Sequence, residues 1–145
     1  MKILRPAPYN IPITSGFGPR KPPTPGASAF HKGIDFGGQF KVTAAANGKV
    51  VSKGYNATGY GNYLIIQHTE ITLKGRKTWR TTYDHGETPS TLKIGDKVKA
   101  GERIFISGST GISTGIHLHF ELQLKKGSTF VPVDPAPYFV DKLEK

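Results

Sequence analysis

The residues in this sequence that could carry chemistry are five histidines and a small number of carboxylates. Two of the histidines, His117 and His119, are two positions apart in a run of alternating residues that continues to position 124. Alternation predicts a β-strand, on which side chains two positions apart point to the same side. Imidazole binds metals and titrates near neutral pH, so the pair indicates a metal site or an acid–base site. The simpler alternative for a bare pair is a hydrogen-bonded core histidine beside a surface one.

A second set of candidate ligands lies earlier in the chain. His31 and Asp35 are four positions apart beside a segment rich in glycine and proline, and the sequence contains no cysteine. Catalytic zinc sites usually have three protein ligands and leave a fourth position open. His31, Asp35 and one of the strand histidines meet that count, although spacing does not decide which one. The other strand histidine and His85 then lie beside the ion as acid–base groups, which predicts a mononuclear hydrolase.

The same residues form three separated motifs in a fixed order. These are His31-x-x-x-Asp35, Tyr83-x-His85, and the segment 111–121 that contains His117-x-His119. Together they resemble the lysostaphin/LytM-type zinc endopeptidases, and the resemblance extends over roughly residues 15 to 134. One departure is Gly86, since a bulky apolar residue is usual there in that family.

The resemblance implies a role for each residue. It implies one zinc ion per chain, bound by His31, Asp35 and His119. It implies that His85 and His117 flank the metal as catalytic residues. It further implies hydrolysis of peptide bonds in bacterial peptidoglycan, in stem peptides or cross-bridges. The alternative is a catalytically inactive relative that binds the wall or regulates a partner enzyme.

The elements that must position these residues are predicted to be strands. The 18 glycines and 11 prolines fit short strands and turns better than long helices. Strands are predicted at 41–45 and 49–55, joined by a hairpin turn at Asn47-Gly48. Further strands are predicted at 62–68, as a central strand, and at 78–85. The fold class is therefore all-β, a mainly antiparallel sheet groove or sandwich with little helix and a loop-walled site.

The sequence also gives expectations for four further residues. Tyr83 is expected on the same strand face as His85, where it either donates a hydrogen bond to an oxyanion or packs. Asp84 is expected to point the other way, into solvent. Glu121 shares the face of the strand histidines and either supports a ligand or acts as a base. His68 lies outside the motifs and is expected to be structural or at the surface.

Chain length and net charge give expectations for the domain organisation, the binding partners and the place of action. The 145 residues predict one peptidase domain over 1–145, with extended termini at 1–14 and 135–145, and a monomer. The formal charge of +10 favours anionic polymers, here peptidoglycan and anionic wall polymers. Motifs for nucleic-acid binding are missing from the sequence, and so is an apolar run long enough to span a membrane. The first residues lack a signal peptide's apolar centre, so a phage enzyme released at lysis, or an excised domain of a secreted autolysin, is expected.

Overall fold

The fold is built almost entirely from antiparallel strands. The computed structural model describes residues 1–22, 25 and 29–143. Twelve strands lie in these residues, followed by one turn of 3-10 helix at Ala136–Tyr138. The strands are β1 Ile13–Ser15, β2 Gly18–Pro19, β3 Phe30–His31, β4 Ile34–Gly37, β5 Lys41–Thr43, β6 Gly48–Asn56, β7 Gly61–Thr72, β8 Gly75–Gly86, β9 Lys97–Val98, β10 Arg103–Ile106, β11 His117–Lys126 and β12 Thr129–Val133. The predicted all-β fold class is confirmed.

Eight of the strands form one large sheet. Its order is β1-β4-β11-β8-β7-β6-β9, with β12 added alongside β11. Two small sheets, β10–β5 and β2–β3, complete the architecture. The order places β11 between β4 and β8, although these three strands are far apart in the sequence. The large sheet therefore brings the three motifs together on neighbouring strands.

The longest strands, β7 and β8, form a hairpin of two 12-residue strands. The alternation of apolar and polar residues explains their placement, since Leu64 and Ile66 are fully buried on one side of β7. On β11, Leu118, Phe120 and Leu122 are likewise fully buried. These side chains pack on the core face of the sheet. The intervening residues of β11, which include both histidines, lie on the opposite face, called the site face below.

The core lies between this sheet and a second layer. Residues of the β5–β10 sheet and of both terminal segments pack against the core face, among them Val42, Phe105, Ile3 and Phe139. An isolated parallel bridge joins Ile3 to Phe139 and holds the two terminal segments together. Among the described residues, no helix is long and apolar enough to cross a membrane.

The predicted hairpin at Asn47-Gly48 is wrong. Strand β5 pairs with β10, and β6 pairs with β7 and β9. A two-residue type I′ turn needs positive φ at both central residues, and Asn47 does not have one. Instead, the Asn47 side chain accepts a hydrogen bond from the backbone N–H of Ala100 at 2.8 Å. The backbone carbonyl oxygen of Asn47 lies 2.7 Å from Nδ1 of His68. The Asn-Gly sequence does not form a hairpin because β5 buries its apolar residues in a different layer from β6.

Candidate metal centre

The centre of the site face is formed where β3, β4 and β11 meet. The antiparallel register of β4 and β11 pairs Asp35 directly with His119. Residues directly opposite on antiparallel strands share a face, so both side chains project to the site face. Burial of Ile34 and Phe36 in the core fixes this orientation of Asp35. His31, at the end of β3, is 3% exposed and reaches the same point.

Three potential ligand atoms converge there. Nε2 of His31 lies 3.1 Å from Oδ1 of Asp35 and 3.2 Å from Nδ1 of His119. The third side of the triangle, from Nδ1 of His119 to Oδ1 of Asp35, is 2.8 Å. Ligand atoms of a tetrahedral zinc centre are about 3.3 Å apart, given bonds of 2.0–2.1 Å. The donor set and its spacing therefore fit a zinc-sized cation with small outward movements of the side chains.

Hydrogen bonds on the far side of each imidazole fix its tautomer. Nδ1 of His31 lies 2.8 Å from the carbonyl oxygen of Gly16, which can only accept. Nδ1 therefore carries the hydrogen, and Nε2 presents its lone pair to the centre. In His119 the roles of the two nitrogens are reversed, since Nε2 donates to a carboxylate oxygen of Glu121 at 2.8 Å. Such partners orient metal-binding histidines and raise their basicity.

Without a cation, a proton occupies part of this centre. Burial lowers the pKa of His119, but its hydrogen bonds to Asp35 and Glu121 outweigh that effect and raise the pKa to about 10. Burial raises the pKa of Asp35, yet the hydrogen bond from His119 and the nearby His31 imidazole leave this pKa well below its usual range. The hydrogen on Nδ1 of His119 is donated to Oδ1 of Asp35 at 2.8 Å, while Nε2 of His31 lies 3.2 Å from the same nitrogen. A metal ion bound at this centre replaces that proton.

His117 and His85 stand beside the triangle. The centroids of their two rings are 4.8 Å apart, and Nε2 of His117 lies 4.0 Å from Oδ1 of Asp35. Nδ1 of His117 bonds to the carbonyl of Gly115 at 2.9 Å, and Nδ1 of His85 bonds to that of Thr110 at 2.7 Å. Both rings are therefore held with Nε2 as the free acceptor. Burial lowers the pKa of His85 to about 4, so it is neutral at neutral pH.

The five predicted site residues line one cleft of about 560 Å³. They are His31, Asp35, His85, His117 and His119. The loop at 112–116 forms one wall, as a loop-walled site requires. The structure thus brings every predicted ligand and catalytic candidate to one place, including the two histidines whose roles the spacing left open.

The predicted placement of Tyr83 with His85 on one face is wrong. Tyr83 is fully buried in the core, where its ring packs 5.4 Å from that of Phe120. His85 reaches the cleft because its φ is +68°, the one positive value among non-glycine residues that the structure describes. This left-handed residue breaks the alternation of β8 and turns its side chain to the site face. Tyr83 therefore packs, and its hydroxyl lies 2.7 Å from Oγ1 of Thr81.

The expectation that Asp84 faces solvent is also wrong. Asp84 is paired with His119 in the register of β8 and β11 and is only 3% exposed. Burial raises the pKa of its carboxyl to about 7. Strand alternation alone gives two faces of β8 and does not show which of them carries the site. The register with β11, which places Asp84 on the site face, is a tertiary property.

The two remaining residues with open assignments have clear positions. Glu121 holds His119 and receives a hydrogen bond from the Gln123 side chain at 3.0 Å, as a supporting carboxylate does. His68 is buried in the core, and burial lowers its pKa. Its Nε2 lies 2.7 Å from Oγ1 of Thr81, so His68 is a structural histidine outside the cleft.

Comparison with known proteins gives a consistent result. The sequence profile of Peptidase family M23 matches residues 29–135. The peptidoglycan DD-endopeptidase ShyB of Vibrio cholerae is 37% identical over 116 residues, which is 78% of this chain and 25% of that protein. The chain thus spans about a quarter of the length of this curated relative.

Two solved structures share the fold. A zinc containing peptidase from Vibrio cholerae has a TM-score of 0.74 and 32% identity, covering 99% of this chain and 40% of that one. The catalytic domain of lysostaphin from Staphylococcus simulans has a TM-score of 0.69 and 34% identity, covering 89% of this chain and 92% of that one.

Proposed function

The chain belongs to peptidase family M23, and we propose that it is a zinc-dependent endopeptidase that hydrolyses peptide bonds in bacterial peptidoglycan. The observation that carries this proposal is the triangle of ligand atoms with sides of 2.8, 3.1 and 3.2 Å. Two further imidazoles stand beside it with free Nε2 atoms. A purely structural ion pair has no use for these two rings.

We assign one zinc ion per chain to His31, Asp35 and His119. Two neutral imidazoles and one carboxylate are a donor set that zinc accepts, and three protein ligands leave a position for the reacting groups. When bound, zinc supplies a Lewis acid that polarises the scissile carbonyl and acidifies water. Gly16 and Glu121 keep the two imidazoles in the tautomers that expose their ligand nitrogens.

His85 and His117 are the proposed proton-transfer residues. Each presents a bare Nε2 to the cleft, so either imidazole can accept the proton that the attacking water loses. Once protonated, that Nε2–H can donate to the leaving amine nitrogen. The carbonyls of Thr110 and Gly115 hold the rings in place through both steps. The low pKa of His85 keeps this residue deprotonated until a proton is delivered to it.

The proposed place of action is the bacterial cell wall. Peptidoglycan endopeptidases are among the relatives of this chain, and its formal charge of +10 suits an anionic wall. A phage enzyme released at lysis and an autolysin domain are both compatible with this role, and the chain is proposed to act as a monomer. Mass spectrometry of fragments released from defined peptidoglycans will identify the bond that is cut.

Zymography on purified cell walls tests the proposal. The zinc-loaded protein is expected to clear the walls, and a chelator is expected to stop clearing until zinc is restored. His119→Ala and Asp35→Ala should bind no zinc, whereas His117→Ala should keep zinc and lose turnover. Glu87→Gln, which changes an exposed carboxylate on the segment after β8, is the control and should behave as the unaltered protein.

Two outcomes contradict the proposal. Full lytic activity in a zinc-free preparation overturns the metal assignment. Wall binding by the zinc-loaded protein without release of fragments assigns the chain instead to the inactive wall-binding or regulatory relatives.

A further inference from the structure

A second cavity, called the acidic cavity here, adjoins the metal centre on the site face. It has a volume of about 490 Å³ and extends across β11, β8, β7 and β6. Its lining includes Tyr60, Tyr63, Thr82, Asp84, Glu121 and Gln123. Among the described residues, this lining has two carboxylates and neither lysine nor arginine, although the chain carries 20 basic residues. The charge of the cavity is therefore opposite to that of the whole molecule.

The floor of the cavity contains polar groups that lack partners. Asp84 is 3% exposed, and its side chain makes no hydrogen bond with any residue that the structure describes. Beside it, Oγ1 of Thr82 is buried and has no hydrogen-bond partner among the described residues. Leaving a buried carboxylate unpaired costs stability, and most proteins avoid it. The unpaired and almost fully buried Asp84 therefore indicates a place where a ligand completes the hydrogen bonding.

The spacing of the carboxylates suits a cationic nitrogen. Oxygen atoms of Asp84 and Glu121 lie within 4.8 Å of each other. An ammonium group forms charge-assisted hydrogen bonds of about 2.8 Å, and its tetrahedral N–H bonds place two acceptor oxygens about 4.6 Å apart, close to the separation allowed here. The rings of Tyr60 and Tyr63, with centroids 5.9 Å apart, line the same cavity. Aromatic rings add to the attraction for an ammonium ion.

A second metal ion fits these groups less well. The third donor within reach is Nε2 of His119, which donates its hydrogen to Glu121 at 2.8 Å. That hydrogen stays in place when Nδ1 of the same ring binds the first ion, because a neutral imidazole keeps one N–H. Only two carboxylates then remain as ligands, fewer than the three of a typical catalytic zinc site.

We propose that the acidic cavity is a substrate subsite that binds an ammonium group of the peptide next to the scissile bond, with Asp84 as the specificity-determining residue. The inference rests on the proposed function, since the cavity opens beside the assigned metal centre. A diamino acid of a peptidoglycan stem peptide carries an amine of this kind. Asp84 and Glu121 accept its hydrogens.

The test compares two synthetic stem peptides that differ only in acetylation of the diamino-acid amine. Their binding to the zinc-loaded protein is measured by calorimetry, and kcat/KM is measured for a cross-linked pair with the same difference. The free amine is expected to bind about 10- to 100-fold more tightly than the acetylated one, as for hydrogen bonds to charged groups. Asp84→Asn should reduce this ratio to near one, whereas the control Glu87→Gln should leave it unchanged.

The outcomes separate this inference from the proposed function. Cleavage of both peptides at equal rates, or an Asp84→Asn variant that keeps the amine preference, overturns the subsite and leaves the hydrolase assignment intact. Amine-dependent binding without any cleavage supports the subsite and overturns the hydrolase assignment. Two zinc ions per chain, reduced to one by Asp84→Asn, assign the cavity to a second metal and overturn the subsite. Because the peptide pair is also compared on the unaltered protein, the test does not depend on how well the variant folds.

Discussion

His119 connects the groups of the site at the scale of single residues. Its Nδ1 faces Asp35 and His31, while its Nε2 is held by Glu121. The raised pKa of this imidazole, about 10, follows from those two carboxylates acting against burial. Metal binding at this residue is therefore also a deprotonation.

The first prediction concerns that proton. At pH 6 the metal-free His119 is fully protonated, so binding of each zinc ion should release about one proton from it. Calorimetry in buffers of different ionisation enthalpy measures this number, and affinity should rise about tenfold per pH unit. The same pKa shift affects the stability of the metal-free protein, since the pKa of His119 in the folded state lies above its value in the unfolded state. This proton stabilises the metal-free fold fully below about pH 6.5, and the contribution disappears as pH rises through 10. Zinc binding at pH 6 without proton release contradicts the assignment.

The second prediction separates packing from catalysis at Tyr83. Its hydroxyl accepts a hydrogen bond from the backbone of Ala45 at 3.0 Å in the buried core. Tyr83→Phe leaves that N–H unpaired, which should lower the free energy of unfolding by about 1–3 kcal/mol. Turnover at a temperature where the variant is folded should not change. A large loss of kcat without loss of stability would show that the hydroxyl takes part in the reaction.

At the scale of elements, the site depends on close contact between the β3–β4 segment and β11. Gly33 lies in the turn between His31 and Asp35, and a Cβ built there comes within 2.2 Å of the backbone oxygen of Phe120. A backbone atom cannot move aside as a flexible side chain can. The absence of a side chain at Gly33 is therefore what allows His31 and Asp35, the proposed ligands of the first motif, to approach His119.

Gly33→Ala is the third prediction. It should destabilise the protein by about 1–3 kcal/mol, as overpacked sites do, and should weaken zinc binding because β4 must move away from β11. Thermal unfolding and zinc titration measure the two effects. Gly16→Ala is the matched control, since no atom of the described residues lies within 4 Å of its Cβ position, and the carbonyl that faces His31 is retained. Equal behaviour of the two variants contradicts the argument.

The departure at Gly86 has a similar explanation. A Cβ at this position comes within 2.5 Å of the Phe105 ring, which is 3% exposed in the core. The ring of Phe105 occupies the space that a larger residue after His85 would need. The aromatic ring of Phe105 on β10 thus fills the space beside Gly86.

At the scale of the whole molecule, charge is distributed unevenly. The chain has 20 basic and 10 acidic residues, yet three of the carboxylates, Asp35, Asp84 and Glu121, lie around the metal centre and the acidic cavity. Basic residues elsewhere favour an anionic polymer, whereas the lining of the acidic cavity favours cations. Attachment to the wall and recognition in the acidic cavity therefore depend on charges of opposite sign.

The fourth prediction follows from the excess of positive charge. Raising the salt concentration from about 0.05 to 0.5 M should weaken binding to purified walls, because exposed charges are screened over shorter distances. Pull-down with wall sacculi, using protein from which a chelator has removed the metal, measures binding separately from hydrolysis. Salt-independent binding contradicts this explanation of wall attachment.

The sequence by itself determined the fold class and the members of the cleft. Alternating residues predicted the strands, and the types and spacing of His31, Asp35, His85, His117 and His119 predicted a set that does meet in one place. These features are local, because strand periodicity and motif spacing depend on neighbours along the chain. The roles of the individual histidines came from a family resemblance and stay predictions until metal binding and turnover are measured.

Only the tertiary structure decided which strands pair and which side chains share a face. Pairing of β5 with β10 replaced the predicted hairpin, and the register of β8 with β11 placed Asp84 beside His119 instead of in solvent. The positive φ of His85 turned that residue away from Tyr83. Each of these depends on contacts between segments distant in the chain, which burial of a common core selects and no local pattern encodes.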